Sequence, residues 1–123
     1  MANPNIVNVT SIYGNTVYLI PANTAATTWT ALTPASNTVN KIDSIVATNV
    51  TGSPATVTVS LNSATGGGGT AYRICYQISV PSNAALIVVD KTTSFYVQDT
   101  QSVVVTSGTG SAIEYTATFE AIT

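Results

Sequence analysis

The chain has 123 residues, a length that suits one domain, and its hydrophobic fraction of 45% argues against disorder. It has no histidine, one cysteine and only 7% charged residues, where a typical domain carries about 25%. Lys41, Arg73 and Lys91 are too few for the several phosphate contacts that nucleic-acid binding needs. Without histidine, Ser–His and Cys–His dyads and most zinc sites are also excluded.

The predicted elements are strands along the whole chain, because Thr, Val, Ile and Tyr dominate and no segment has a helical apolar period. The first two predicted strands, residues 6–12 and 17–20, are joined by a turn at Gly14 and Asn15. The later predicted strands cover residues 27–32, 42–50, 55–61, 72–80, 84–90, 102–106 and 113–121. About eight or nine short strands predict an all-β fold with a single domain over residues 1–123, an antiparallel β-sandwich or jelly-roll-like barrel.

Three of these segments carry more detailed predictions. Residues 72–80 alternate strictly, which predicts that Tyr72, Ile74, Tyr76, Ile78 and Val80 pack on one face of their strand. The runs 84–90 and 102–106 are apolar at consecutive positions and are predicted to be strands buried on both sides or central strands of a sandwich. Between the strands 55–61 and 72–80, four consecutive glycines predict a long, mobile hairpin loop.

The carboxylates do not form an acid–base pair in the sequence pattern. Glu114 and Glu120 fall on one face of one predicted strand, about 20 Å apart, too far for such a couple. Asp90 is interpreted as a turn-forming residue that binds nearby backbone amides, with a calcium ligand as the alternative. We therefore expect no enzymatic site, no metal site and no cofactor.

Two single residues leave alternatives open. Trp29 lies between two threonines, and it is interpreted as a core aromatic, a contact to a protein partner or a platform for a sugar. Cys75 is interpreted as a semi-buried thiol with no intramolecular partner, so disulfides do not hold this fold together.

The scarcity of charge favours association, because a nearly neutral Thr/Val surface is poorly defended against it. We predict a homo-oligomer, and the candidate contacts are Trp29, Gly66, Gly67, Gly68 and Gly69, together with the stretch 23–40. This stretch is interpreted as a strand with loops or as an arm that reaches a neighbour. The N-terminus has no signal-peptide pattern and no apolar run is long enough to span a bilayer. We expect synthesis in the cytoplasm, no membrane partner, and export only as part of a particle.

Several segments resemble small virion structural proteins of tailed bacteriophages, especially cyanophages. They are Met-Ala-Asn-Pro-Asn-Ile-Val-Asn-Val-Thr-Ser-Ile-Tyr-Gly at residues 1–14, Lys-Ile-Asp-Ser-Ile-Val-Ala-Thr-Asn-Val-Thr-Gly at 41–52, and the segments 78–91 and 95–97. The resemblance implies a non-enzymatic virion protein, expected first as a capsid decoration or cement protein that contacts the major capsid protein. The alternatives are a neck, baseplate or tail-fibre-associated protein and, from another class, a carbohydrate- or receptor-binding module.

Overall fold

A computed structural model describes residues 3–123; Met1 and Ala2, which open the first segment of the phage resemblance, lie outside the described residues. These residues form nine strands and two short 3₁₀ helices. The strands are β1 Ile12–Leu19, β2 Thr27–Thr28, β3 Val39–Asn49, β4 Ala55–Asn62, β5 Ala71–Val80, β6 Ala85–Val89, β7 Phe95–Val97, β8 Ser102–Ser107 and β9 Ile113–Ile122. The 3₁₀ helices are Thr30–Leu32 and Thr65–Gly67.

The strands form two antiparallel sheets. The first has the order β1-β9-β3-β6, with β7 also paired to β3, and the second has the order β2-β8-β4-β5. The strand pairs are nested in chain order, because the first strand pairs with the last and each further pair lies inside the previous one. From the ends of the chain to its middle the pairs are β1–β9, β2–β8, β3 with β6 and β7, and β4–β5. Nested pairs divided between two sheets are the arrangement of a jelly roll. The predicted all-β sandwich is confirmed.

The core lies between the sheets and is built by strands with the predicted alternation. In β9 the residues Ile113, Tyr115 and Ala117 are fully buried, and Glu114 and Thr116 between them are exposed. In β4 the core residues are Ala55, Val57 and Val59. Strand β8 is central in its sheet and almost wholly buried, so the prediction for residues 102–106 is confirmed. Strand β6 instead lies at a sheet edge with alternate residues exposed, because it has β3 on one side only.

The N-terminal prediction of two strands and a turn is wrong. Gly14 and Asn15 lie inside one continuous strand, β1, which pairs with β9 residue by residue from Ile12 to Leu19. No atom lies within 4 Å of a Cβ built on Gly14, so no close approach requires a glycine there. The long partner strand β9 therefore overrides the local turn signal, since pairing satisfies the backbone groups that a turn would leave free.

The predicted packing face of residues 72–80 is also wrong. Of its five apolar residues only Val80 is buried, and Tyr72 and Tyr76 are 63% and 56% exposed. The predicted alternation places Cys75 on the opposite, polar face, but it packs against the core opposite Val59. Two register shifts between β4 and β5 break the alternation, because each extra residue turns the following side chains to the other face.

The stretch 23–40 packs into its own domain and is not an arm. Its strand β2 pairs with β8, and the following 3₁₀ helix places Leu32 in the core beside Trp29. The buried Asn40 donates a hydrogen bond from Nδ2 to the carbonyl of Leu32 at 3.0 Å, which ties β3 to this segment.

Candidate assembly edges

Trp29 is a core residue. Its side chain is 2% exposed, its ring meets Tyr115 edge to face at 6.1 Å, and its backbone N–H donates to the carbonyl of Val103 at 2.8 Å. The first of its three interpretations therefore holds, and the structure removes Trp29 from the surfaces that a partner or a sugar could reach. Burial also raises the pKa of Tyr115 to about 12, although its hydroxyl is hydrogen-bonded to Ser107 Oγ at 3.0 Å.

The glycine loop between β4 and β5 folds back over the outer face of its own sheet. The N–H of Gly67 donates to Ser102 Oγ at 3.0 Å, and this hydroxyl donates to the carbonyl of Ala64 at 2.7 Å. Asn62 Nδ2 donates to the carbonyl of Gly67 at 2.9 Å. The predicted hairpin connection is confirmed, but the loop is anchored to β8 and does not extend toward a neighbour.

Two of the glycines are required by this packing. Gly67 has a φ of +78°, and a Cβ there would lie 2.5 Å from Thr28 Oγ1. Gly69 has a φ of +70°, and a Cβ there would clash with Ser63 Oγ. Gly66 also has a positive φ but open space around it, and Gly68 has only ordinary neighbours beyond the Thr65 carbonyl at 3.3 Å. The run of glycines thus allows the loop to lie against the sheet.

Asp90 is a turn-forming residue, as interpreted. Its Oδ1 accepts hydrogen bonds from the N–H and the hydroxyl of Thr92 at 2.9 and 2.7 Å, and from the N–H of Thr93 at 3.2 Å. The hydrogen bonds from Thr92 are the main reason that the pKa of Asp90 lies below its usual value. Its oxygen is thus occupied within the loop, and no three His, Cys, Asp or Glu residues among residues 3–123 cluster as metal ligands.

Three of the charged residues meet on the outer face of the first sheet. Lys41 Nζ lies 3.9 Å from Asp43 Oδ1 and 4.0 Å from Glu120 Oε2. A side-chain hydrogen bond with Asp43 is the largest cause that raises the pKa of Glu120. All three side chains are about one-third exposed, so the cluster is a solvated one and not a buried catalytic pair.

Cys75 is half-buried, as interpreted. Burial raises the pKa of its thiol, and its Sγ donates to the carbonyl of Val57 at 3.8 Å. A thiol held in the protonated form is a poor nucleophile, so nothing here indicates a reactive cysteine.

The exposed large apolar side chains are concentrated on the edge strands. In β1, Tyr13 and Tyr18 are 66% and 82% exposed, and Ile12 is about half exposed. Strand β1 contains no charged residue and no proline, and its pairing with β9 has no register shift. A long, regular, uncharged edge leaves a row of free backbone groups beside apolar side chains, which is a template for another strand.

A groove of about 460 Å³ lies beside the inner face of β1. One wall is formed by Tyr13, Asn15 and Val17 of β1, and the floor includes Phe119 of β9. The other wall is the chain after β2, residues 31–35. Because β2 is only two residues long, the second sheet does not cover the start of β1, and its inner face is open at Tyr13 and Asn15. Farther along this face, Val17 and Leu19 pack against the core.

Sequence reasoning missed the β1 edge, because the predicted turn at Gly14 and Asn15 divided it into two short strands. The signal that could have found it is the uncharged run of strand-forming residues from 12 to 20 without a proline. None of the helices described over residues 3–123 has the length and hydropathy to cross a membrane.

Comparison with known proteins bears on the fold. No protein-family model matches the sequence, and no curated protein matches it. A solved protein of the Bacillus endospore appendages, described as a novel family of disulfide-linked pili, is similar in structure with a TM-score of 0.50 and 19% sequence identity. The likeness covers 99% of this chain and 94% of that chain, so it extends over the whole sandwich and shows the shared fold.

Proposed function

We propose that this chain is a non-enzymatic structural subunit that works by binding other protein subunits along the β1 edge. The observation that carries the proposal is this strand itself, eight residues long, regular, uncharged, and bordered by an open groove. Backbone pairing along such an edge joins subunits without charged side chains, which suits a chain with 7% charged residues.

The assembly that we propose is a phage virion, and the basis is the sequence resemblance of residues 1–14, 41–52, 78–91 and 95–97. A capsid decoration protein in contact with the major capsid protein is the first form of the proposal. A neck, baseplate or tail-associated protein is the second. Antibody labelling of purified particles under the electron microscope distinguishes them, since label confined to the tail contradicts the capsid form.

The pilus protein with a similar fold supports a role in self-assembly, because pili are built from repeated subunits. The disulfide linkage named in its description is not part of the proposal. The single Cys75 is half-buried, and one cysteine forms one disulfide, so it cannot join a subunit to neighbours on two sides. Contacts along strand edges and apolar side chains would have to join copies of this chain.

The proposal is tested by sedimentation of the purified full chain over a wide concentration range. We expect the average mass to rise with concentration, with discrete larger species and not a featureless aggregate. A chain that stays monomeric at the highest concentration contradicts self-association. If the chain is monomeric, mixing it with the major capsid protein or another virion protein tests the other form of the proposal, in which the β1 edge binds a different protein.

A further inference from the structure

We propose that the β1 edge binds a second copy of this chain, with the two β1 strands antiparallel about a two-fold axis at Asn15. The inference rests on the proposed function, because it names the partner of the edge described above. This pairing joins the first sheet of one copy to the first sheet of the other, so that they form one continuous sheet. The two-fold symmetry restricts the register between the two β1 strands.

A two-fold axis between antiparallel strands must be perpendicular to the sheet. It keeps the inner faces of both copies on the same side, so each residue lies opposite a residue of the same face. One residue of β1 therefore lies directly opposite the same residue of the second copy, and the axis passes midway between these two. In the middle of β1 the two such centres are Asn15 and Thr16.

The side chains favour the centre at Asn15. In that register Ile12 lies opposite Tyr18 of the second copy, and Tyr13 lies opposite Val17. Each contact occurs twice, and aromatic residues opposite β-branched ones are stabilising cross-strand pairs. With the centre at Thr16, Asn15 would lie opposite Val17 in both halves and leave a polar amide against an aliphatic side chain.

The groove provides the space for this pair. Tyr13, Asn15 and Val17 line the groove and belong to the inner face of β1, so their counterparts in the second copy enter beside them. Asn15 Nδ2 donates to the carbonyl of Tyr13 at 3.2 Å in the single chain. Ser11 and Thr123 exchange both of their backbone hydrogen bonds, so the alternation along β1 directs the Tyr13 carbonyl toward β9. The backbone groups of the even-numbered residues from 12 to 18 face the free edge and are available to the second copy.

The charge of β1 fits a second copy, and its exposed area fits a weak pair. Strand β1 has no charged residue, so a two-fold pair brings no like charges together, and a partner of opposite charge finds nothing to bind. At roughly 150–250 Å² for each aromatic side chain, Tyr13 and Tyr18 at their observed exposure bring about 300 Å² of each copy to the contact. Backbone pairing adds to this, and the total is a small interface of the size found in weak, transient contacts.

Strand β5 is a poorer edge for such pairing. Its two register shifts interrupt the straight row of backbone groups, and Gln77 has a φ of +49°. A bulged edge is twisted away from a flat partner. The observations therefore favour β1 and not β5 as the pairing edge.

The register is tested by disulfide trapping in the full chain with Cys75→Ala, in which Asn15→Cys and Thr16→Cys are compared as single substitutions. Both sites are exposed, so circular dichroism should show both variants folded. In the proposed register the two Cα atoms of residue 15 are about 5 Å apart, within disulfide range. Those of residue 16 are roughly 8 Å apart, from the strand rise and spacing, which is beyond that range.

We expect mild oxidation to convert Asn15→Cys to a covalent dimer at least about tenfold faster than Thr16→Cys. Faster trapping of Thr16→Cys, or equal slow trapping of both, overturns the pairing at Asn15. If the unmodified chain still associates in sedimentation while neither variant is trapped, the two-fold pair is wrong and the structural role stands. If the unmodified chain is monomeric and binds no other subunit, the proposed function itself fails.

Discussion

Strands β1 and β5 are both long edge strands with exposed tyrosines, and they differ in regularity. Strand β1 pairs with β9 over eight residues without interruption, whereas β5 pairs with β4 through two register shifts. In β5 the N–H of Gln77 turns to donate to Thr58 Oγ1 at 2.9 Å. The comparison teaches that exposed apolar side chains alone do not make a pairing edge, because the backbone must also present a straight row of free groups.

Charge separates the two edges as well. Arg73 of β5 lies over the ring of Tyr76, with its guanidinium carbon 5.1 Å from the ring centre. The cation partly covers an aromatic surface that would otherwise be free, and it must be desolvated if another strand pairs there. Strand β1 has no such residue.

The largest expected effect concerns how β5 is held in place. Gly67→Ala should lower the free energy of unfolding by about 2–3 kcal/mol, because it combines a positive φ with a clash against Thr28. Gly66→Ala is the matched control, with a positive φ in open space, and should cost about 1 kcal/mol. Urea unfolding of both variants measures the difference. Equal losses would mean that the loop does not anchor the β4–β5 hairpin to β8.

The next effect concerns association. Tyr18→Lys introduces a charge into the proposed contact of β1 and should weaken self-association about tenfold, equivalent to about 1.4 kcal/mol. Tyr76→Lys makes the same change on β5 and should alter it less than about twofold, within roughly 0.4 kcal/mol. Sedimentation at matched concentrations measures both. A larger loss from Tyr76→Lys would reverse the comparison and assign the contact to β5.

The smallest effect concerns the charges nearest to β1. Glu120 lies opposite Gly14 of β1, and its pKa is raised mainly by the hydrogen bond with Asp43. Folded Glu120 therefore keeps its proton to a higher pH than unfolded Glu120, so stability should fall slightly as pH rises through that window. Glu120→Gln should flatten this dependence in urea unfolding at several pH values, and Glu114→Gln, away from Asp43, is the control. An unchanged slope in Glu120→Gln would show that the pH dependence does not come from the raised pKa of Glu120.

Much of the fold followed from local pattern. Strands β4, β8 and β9 were predicted within about two residues of their observed ends, because their apolar residues face one shared core. The surroundings of the candidate assembly contacts did not follow from local pattern, since Trp29 is in the core and Gly67 anchors a loop. An aromatic residue between threonines has the same sequence signature on a surface as beneath one, so burial had to come from the packed sheets.

The sequence by itself determined the all-β class, the positions of most strands and the near absence of chemical groups. Residue type and alternation are local properties, and they survive in any arrangement of the sheets. Only the tertiary structure decided which strands are edges, where the register shifts, and that Gly14 lies in a strand. These features depend on which neighbour satisfies each backbone group, and in β1 that neighbour is β9, about a hundred residues away in the chain.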